Sequence, residues 1–468
     1  MSAIITNQFR KNSRELFLSD IASANDYFIG IGKSEPWPTI NGREETDLEY
    51  SVPLPTNTLN EKEDILKNLF SLLKVQETFS VIPRNEWVSG RVYKVYDPYD
   101  PNIFNFETIG NTAFYPCYMT HNNAIYVCLD NDNNTASTTN ITSSTYVNPS
   151  ILTDNYVWAY VCDVDTNSNF YTDQFIDVPV DITDATDISN ARNATGGMIY
   201  GFNIIDGGSG IPNSVNIKLV GSDSAGAVQS DVDIRVGTND QSPYNVTIVN
   251  GTITAITFTS ASWPKGYADA SVIVEGHETN IQPLIAPVDG FGYSPKSDLP
   301  TFYAGLYGSY IGAEGGEAPV NIGFRQVSLV KGPTRTDNDS PANDTLNIYD
   351  ALQYLQLSSS GASIPTDAGT IIEHSTNDAK AYLDYVDTAN DRVYYHQNSN
   401  GDINQKPFET GNVTFTAPGG TTTGNFSVSA LGQGEYNQGS GEPIFLENRK
   451  AILRNSNQQE DIKLVIQF

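Results

Sequence analysis

Residues 124–129 read Ala-Ile-Tyr-Val-Cys-Leu, a short run of apolar, strand-forming residues that indicates the fold class. A second run, Val-Tyr-Lys-Val-Tyr, occupies residues 92–96, and Asp-Pro and Asn-rich turns separate such runs. β-Branched and aromatic residues favour strands, and short strands at regular intervals are typical of β-sandwiches. The sequence therefore predicts a mainly β protein of sandwich type.

Two helical patterns interrupt this strand-rich sequence. Near the start, Leu16, Phe17 and Ile21 stand at helical spacing. Residues 58–61 read Thr-Leu-Asn-Glu, a capping box, and the apolar residues that follow as far as Leu73 predict a second helix. We expect each helix to pack one face on a sheet.

Composition limits the partners of the chain. Among its 468 residues, 55 are Asp or Glu and 26 are Lys or Arg, so the formal charge is −29. Phosphates would be repelled, which argues against nucleic acid or an anionic membrane surface as a partner. Without an apolar run of about 18 residues, no membrane insertion is expected. The first twenty residues carry Arg10, Lys11 and Arg14, and we expect no secretory signal there.

Composition shifts predict a main region with two inserts. A main region with amino-terminal helices and a β-sandwich covers 1–196, and a Gly-rich inserted β-module covers 197–287. The main β region returns over 288–340, a second insert or set of long ornamented loops covers 341–438, and strands in 439–468 complete the main region. Within the first insert, residues 215–221 are echoed by 270–276, which suggests two similar strand pairs.

Candidate metal and redox residues give weak signals. Residues 130–134 and 163–167 alternate Asp and Asn as a calcium loop does, yet the expected glycine and glutamate are missing, so Asx turns explain them better. The four histidines stand in unrelated contexts, and we expect surface or loop positions for them. Three cysteines, Cys117, Cys128 and Cys162, fit neither a disulfide framework nor a zinc site, which favours synthesis in a reducing cytoplasm.

Residues 30–34 read Gly-Ile-Gly-Lys-Ser and end like a phosphate-binding loop. The loop also needs an earlier glycine, where Tyr27 stands, and a helix directly after Ser34, where two prolines follow instead. Hydrolase elbows of the Gly-x-Ser-x-Gly type are missing from the sequence, and 55 acidic residues make any single carboxylate pair uninformative. We therefore predict no catalytic residue, no cofactor and no bound metal.

Three separated motifs remain, and their order is informative. Residues 32–37 read Gly-Lys-Ser-Glu-Pro-Trp, residues 323–328 read Gly-Phe-Arg-Gln-Val-Ser, and residues 441–449 read Gly-Glu-Pro-Ile-Phe-Leu-Glu-Asn-Arg. Two shorter motifs accompany them, Val-Ile-Pro-Arg-Asn-Glu-Trp at 81–87 and Tyr-Val-Trp-Ala-Tyr at 156–160. The candidate structural residues that these motifs contain are Trp37, Trp87, Trp158, Phe324, Arg325, Glu447, Asn448 and Arg449.

In this order the motifs resemble one family, the baseplate wedge subunit of T-even-type contractile-tailed phages, gene product eight. The resemblance implies two β-sandwich-like domains, one inserted in the other. It also implies a non-enzymatic homodimer in the virion tail baseplate, made in the host cytoplasm. Its partners would be other wedge proteins, and tail-fibre or peripheral baseplate proteins could contact the inserts. Its role would be in baseplate assembly and in the switch that leads to sheath contraction.

Two other functions stay open at this point because the inserts match the family pattern poorly. The Gly-rich module would suit a tail-associated adhesin that binds glycan, or a protein that attaches a fibre. A tail enzyme that cleaves polysaccharide is a further alternative, and it would need a cleft lined by carboxylates.

Overall fold

The computed structural model describes residues 4–24, 26–38, 52–142, 149–179, 181–260, 262–313, 317–337, 347–359, 364–399, 401 and 403–468. Strands predominate in this part of the chain, so the prediction of a mainly β protein is confirmed. Its helices are α1 (Asn7–Ala24), α2 (Leu59–Lys67), α3 (Ala185–Thr195) and α4 (Pro295–Asp298).

The strands fall into three groups along the chain. Before α3 lie β1 (Tyr27–Gly32), β2 (Leu69–Lys74), β3 (Glu77–Pro83), β4 (Val92–Tyr93), β5 (Glu107–Ile109), β6 (Thr112–Tyr115), β7 (Tyr118–His121), β8 (Ala124–Asp130), β9 (Ser150–Ile151), β10 (Val157–Asp163) and β11 (Phe175–Asp177). Between α3 and α4 lie β12 (Ile199–Asp206), β13 (Ile217–Ser222), β14 (Val232–Val236), β15 (Asn239–Asp240), β16 (Tyr244–Val249), β17 (Thr252–Phe258), β18 (Asp269–Val274) and β19 (Asn280–Ile285). After α4 lie β20 (Tyr303–Ile311), β21 (Gly323–Lys331), β22 (Ile348–Asp350), β23 (Gln353–Leu357), β24 (Ile371–His374), β25 (Lys380–Asp387), β26 (Arg392–His396), β27 (Gly411–Thr416), β28 (Thr422–Gly432), β29 (Glu442–Leu453) and β30 (Gln459–Gln467).

The chain forms two compact units. The first comprises Met1–Glu15, Phe79–Gly305 and Val465–Phe468. The second comprises Leu16–Thr78 and Leu306–Leu464, so the long segment of the first unit interrupts the sequence of the second. The five domain ranges expected from composition stay a prediction.

In the first unit, strand β8 is buried on both faces. Ile125, Val127 and Leu129 belong to one apolar cluster, whereas Tyr126 and Cys128 belong to another. Strand β10 pairs with β8 and divides its side chains between the same two clusters. A strand covered on both faces reads as an unbroken apolar run, which explains the sequence at 124–129.

The Gly-rich segment of the first unit has an apolar core of its own. Strands β13 and β18, which carry the two echoed segments, pair antiparallel with Ile217 opposite Val274. Both residues lie in a cluster formed by residues of this segment. Near the two ends of the segment, Met198 and Leu284 belong instead to the cluster of β8 and β10.

The second unit contains a sheet and a barrel. The sheet has the order β22-β2-β1-β21-β29, and β1 is buried along its whole length. Strands β23, β26, β25, β24, β27 and β28 close a barrel. The barrel encloses a separate apolar cluster that includes Leu355, Val393 and Phe415.

The structure corrects the predicted second helix. Thr58 caps α2 as expected, since its side chain accepts a hydrogen bond from the Glu61 N–H. The helix ends at Lys67, however, and the following apolar residues form β2. Leu72 and Leu73 lie opposite Gly30 and Ile29 of β1. A short apolar run suits a buried helix or a buried strand equally well, and here pairing with β1 decides between them.

The first helix also differs in its buried face. Helix α1 forms as predicted, but Leu16 is 72% exposed. The buried positions include Arg14 and Ile21, which are seven residues apart and share one side of the helix. Leu16 lies outside this side, although it was expected to pack on a sheet.

Gly32 offers a direct test of the close packing between β1 and β2. A Cβ atom added at Gly32 would lie 2.1 Å from the backbone oxygen of Asn68, which cannot rotate away. We expect Gly32→Ala to lower the free energy of unfolding by about 3 kcal/mol, the upper end for overpacking. Urea unfolding measures this loss. Gly424→Ala is the matched control because Gly424 is exposed and a Cβ there meets nothing within 4 Å. Equal stability of the two variants would contradict the assigned packing.

Candidate functional site

The first motif ends strand β1 in a tight turn. Lys33 follows the strand with a φ of 66°, in the left-handed region, and its N–H donates to the Asn68 carbonyl at 3.0 Å. Pro36 disfavours helical angles at Glu35, because its ring clashes with the backbone of the residue before it. This turn places the Glu35 side chain in the interior, where the residue is 3% exposed.

The buried Glu35 carboxylate contacts three groups. It forms an ion pair with Lys33 Nζ, lies 3.1 Å from His396 Nε2, and accepts a 2.8 Å hydrogen bond from Asn398 Nδ2. The other ring nitrogen of His396, Nδ1, is 2.7 Å from Asp384 Oδ1. All four ionisable side chains are almost fully buried. With His396 protonated, two cations face two anions and the formal charges cancel.

Electrostatics favours the charged forms of Glu35 and His396. Burial by itself would raise the pKa of the Glu35 carboxyl, but the charges of His396 and Lys33 outweigh burial and lower this pKa to about 2. Burial by itself would lower the pKa of the His396 imidazole, but Asp384 and Glu35 outweigh it and raise this pKa to about 10. Burial raises the pKa of the Asp384 carboxyl, and His396 opposes that rise. His396 is therefore a cation at neutral pH.

A chain of side-chain amides continues from this ion cluster. Asn398 Nδ2 donates to Asn68 Oδ1 at 2.8 Å, and Asn68 Nδ2 donates to Gln326 Oε1 at 2.7 Å. Gln326 Nε2 donates to Asn448 Oδ1 at 3.0 Å, and Asn448 Nδ2 donates to the Pro53 carbonyl at 2.9 Å. The chain thereby connects the middle motif to the carboxyl-terminal motif. We call the ion cluster and these amides the Glu35 network.

Two further contacts bring the same motifs together. Arg325 donates from its guanidinium to the Ser34 carbonyl. The Trp37 indole Nε1 donates to the Arg449 carbonyl at 2.7 Å, and Lys33 Nζ lies 4.7 Å from the centroid of the Trp37 ring. Trp37 is 8% exposed, so the indole closes one side of the turn.

The remaining motif residues of this unit lie on paired strands. Strand β21 pairs antiparallel with β29, with Gln326 opposite Asn448 and Val327 opposite Glu447. Phe324 is buried. Glu447 makes a surface ion pair with Arg449 Nε at 2.8 Å. The structure thus gathers six of the eight candidate residues in one region, and their role as structural motif residues stays a prediction.

The other two candidates, Trp87 and Trp158, lie in the first unit. Trp158 is fully buried on β10, and its ring centroid lies 5.2 Å from that of Tyr93. Trp87 is half-buried, donates from Nε1 to Ser137 Oγ at 3.0 Å, and contacts the His121 ring edge-on. Burial thus differs between the two indoles.

Sequence reasoning missed four members of the Glu35 network. Asn68, Asp384, His396 and Asn398 stand outside the motifs: Asn68 lies within the predicted second helix, and the other three lie in the predicted second insert. The expected surface position of the histidines is wrong for His396 and for His374, which are 1% and 2% exposed. The sequence signal for Asp384 and His396 is a histidine near the end of a predicted strand and an aspartate one strand earlier. This pattern is too common to have identified the two residues.

The calcium-like and phosphate-like segments serve local structure. Asp130 Oδ1 accepts the Asp132 N–H at 2.9 Å, and Asp165 Oδ1 accepts the Asn167 N–H at 2.9 Å, as in Asx turns. The Lys33 ammonium, where a phosphate-binding lysine would stand, is 2% exposed and paired with Glu35. Among the described residues, no group of three or more His, Cys, Asp or Glu side chains is arranged to hold a metal. Within the same part of the chain, every helix is too short or too polar to cross a bilayer.

Comparison with known proteins bears on the region around the first motif. Residues 3–157 match the family model described as Bacteriophage T4, Gp8. The baseplate wedge protein gp8 of Enterobacteria phage T4 is 32% identical over 136 residues, which are 27% of this chain and 38% of the relative. This part of the chain is therefore similar in sequence to the gp8 family.

The family match covers about a third of this chain, and the similarity to the T4 protein covers 38% of the length of that protein. It includes the motif at 32–37 and the motif at 81–87. The middle and carboxyl-terminal motifs lie outside it. The Glu35 network joins matched residues, such as Lys33 and Glu35, to unmatched ones, such as Gln326 and His396.

The different burial of Trp158 and Trp87 predicts different losses of stability when each indole is removed. We expect Trp158→Ala to lower the free energy of unfolding by about 3 to 5 kcal/mol, because it empties a fully buried aromatic site. Trp87→Ala is expected to cost less than half as much, since part of the indole is already in water. Urea unfolding followed by circular dichroism measures both values. Similar losses in the two variants would contradict this difference.

From the charges of the Glu35 network we expect the free energy of unfolding to fall at alkaline pH. A folded-state pKa of about 10 for His396, against an ordinary value near 6.5, stabilises the fold fully below about pH 6.5. That contribution is lost as the pH rises through about 10. We expect His396→Gln to lower the melting temperature clearly at pH 6.5, because Glu35 and Asp384 lose their shared cation. The gap between wild type and variant should narrow toward pH 10.

His277→Gln is the matched control for this experiment, because His277 is partly exposed and lies in the other unit. Its melting temperature should follow that of the wild type from pH 6 to 10. A constant gap between wild type and His396→Gln over this range would show that His396 carries no buried charge.

Proposed function

We propose that this chain is a non-enzymatic structural subunit of the wedge of a phage tail baseplate. The observation that carries the proposal is the match of residues 3–157 to the family of the T4 baseplate wedge protein gp8. A baseplate subunit works through its shape and its interfaces, so its surface has to stay ordered during assembly.

The Glu35 network supports this proposal because it ties the matched region to the rest of the second unit. Lys33 and Glu35 lie in the matched region, while their partners His396 and Asn398 come from the barrel strand β26 and the residues after it. A buried carboxylate without its partners costs several kcal/mol. The matched segment therefore folds together with the unmatched one, and the structural role extends to both.

Burial also favours a structural role for these groups over a catalytic one. The carboxylates and the imidazole that could move protons are paired with one another, and each side chain is at most 4% exposed. A general acid or base must reach a substrate within hydrogen-bonding distance. The side chains of Glu35, Asp384 and His396 reach one another instead.

The finer points of the proposal come from similarity to the family. The chain forms a homodimer, contacts neighbouring wedge proteins, and takes part in baseplate assembly and in the switch that leads to sheath contraction. The Gly-rich segment and the barrel offer additional surfaces for tail-fibre or peripheral baseplate proteins. The protein is made in the host cytoplasm and ends in the virion tail. Rigid subunits that move against one another carry such a switch.

Location in the particle tests the structural role. We expect antibody or affinity-tag labelling of intact virions to mark the distal end of the tail, and cryo-electron microscopy to fit the two units into baseplate density. Particles made without this chain should lack assembled baseplates. A chain found in the head, at the tip of a fibre or free of the particle would contradict the proposal.

Light scattering tests the homodimer separately. The purified full chain should have twice the mass of one copy, and the mass should hold on dilution to about 1 μM. The His277→Gln variant, which replaces a partly exposed loop residue, is the control for effects of sample preparation. A single-copy mass both in solution and in the particle would contradict the dimer while leaving the baseplate location to stand.

A further inference from the structure

A cavity of about 510 Å³ lies between strands β12 and β17 of the first unit. Backbone hydrogen bonds close the gap at both ends: Ile253 N–H donates to the Gly207 carbonyl at 3.0 Å, and Ile199 N–H donates to the Pro264 carbonyl at 2.8 Å. Between these points β12 and β17 do not pair with each other. Instead, β12 pairs with β19, and β17 pairs with β16. The opening is therefore a bounded pocket, and its size is that of small-ligand sites.

Apolar side chains form the floor of this pocket. Leu129 and Val157 come from β8 and β10, and Leu284 comes from β19. All three are at least nine-tenths buried and belong to the core of the first unit. A floor built on a packed core keeps its shape without a ligand.

Aromatic rings stand in the walls of the pocket. Phe202 and Phe258 both line the pocket, and their rings stack on each other with centroids 5.7 Å apart and planes inclined by 25°. Trp263 also lines the pocket, and part of its indole is exposed. Partly exposed aromatic faces offer a flat apolar surface to a bound ring.

Polar groups lie at the rim of the pocket. Asp130 is the charged residue among the described lining residues, and its Oδ1 accepts the Asp132 N–H at 2.9 Å, which fixes the direction of the carboxylate. Asn155 lies near it and donates from Nδ2 to Asp132 Oδ1 at 3.3 Å. Thr257 and Ser260 also line the pocket.

We propose that this pocket binds one or two pyranose rings of a neutral or amino sugar. A pyranose presents an apolar face of C–H groups, which suits Phe258 and Trp263, and hydroxyls at its edge, which suit the Asp130 carboxylate and the rim amide. The negative charge of Asp130 in a chain of net charge −29 disfavours uronic and sialic acids. Sugar binding goes beyond the proposed structural role, and its failure would leave that role unaffected.

Saturation-transfer difference NMR on the full chain tests the proposal. The probes are glucose, galactose, mannose, N-acetylglucosamine, N-acetylgalactosamine and glucosamine, their β1,4-linked disaccharides, and glucuronic and N-acetylneuraminic acids. We expect transfer to the C–H protons of at least one neutral or amino sugar and none to the two acids. Asp130→Asn and Trp263→Phe should each weaken binding of that sugar at least tenfold, with melting temperatures close to wild type.

Two matched controls accompany these variants in the same unit. Asp163→Asn removes an exposed carboxylate at the far end of β10, and Trp87→Phe alters a half-buried indole outside the pocket. Both should bind sugar as the wild type does. Absence of transfer to every sugar in the panel would overturn the proposal. Binding that both pocket variants leave unchanged would also overturn it, as would displacement of the sugar by an extended Val-Thr hexapeptide that pairs with the strand edges.

Discussion

The second unit depends on the burial of one carboxylate, that of Glu35. A buried, ionised carboxylate is tolerated when cations and hydrogen-bond donors replace the water it has lost. Here Lys33, His396 and Asn398 supply them, and they come from the turn after β1 and from β26 with the residues that follow it. Because His396 and Asn398 stand on a stretch of chain far from Glu35 in sequence, the carboxylate is satisfied when the two stretches have reached their final positions. A single charge thereby fixes the relative placement of a turn and a barrel strand.

The amide chain extends this constraint to the central sheet. Asn68 follows α2, Gln326 lies on β21, and Asn448 lies on β29, and each amide both donates and accepts within the chain. Such networks are stabilising when every member is paired and costly when one is missing. A fully paired network favours one arrangement of the unit, as the proposed structural role requires. The similarity to gp8 and the packing both support the proposed structural role, and they are independent observations.

The first unit follows a different principle. Its core consists of apolar clusters on both faces of β8 and β10, with Trp158 fully buried in one of them. The Gly-rich segment adds its own cluster and contributes Met198 and Leu284 to the main core. Where β12 and β17 diverge, the result is a pocket that the packed core supports from below. The Gly-rich segment therefore borders a cavity without disturbing the strands β8 and β10 of the main core.

The sequence by itself determined the β class, the cap of α2, the Asx turns and the three motifs, because these depend on residues close together in the chain. Tertiary structure decided the rest. Leu69–Lys74 became a strand because β1 offered an edge, and Leu16 stayed exposed because Arg14 and Ile21 occupy the buried side of α1. Asp384 and His396 acquired their role from a carboxylate about 350 residues earlier, and no local pattern encodes that distance. Local chemistry sets what a segment can form, and long-range pairing of charges and strands selects what it does form.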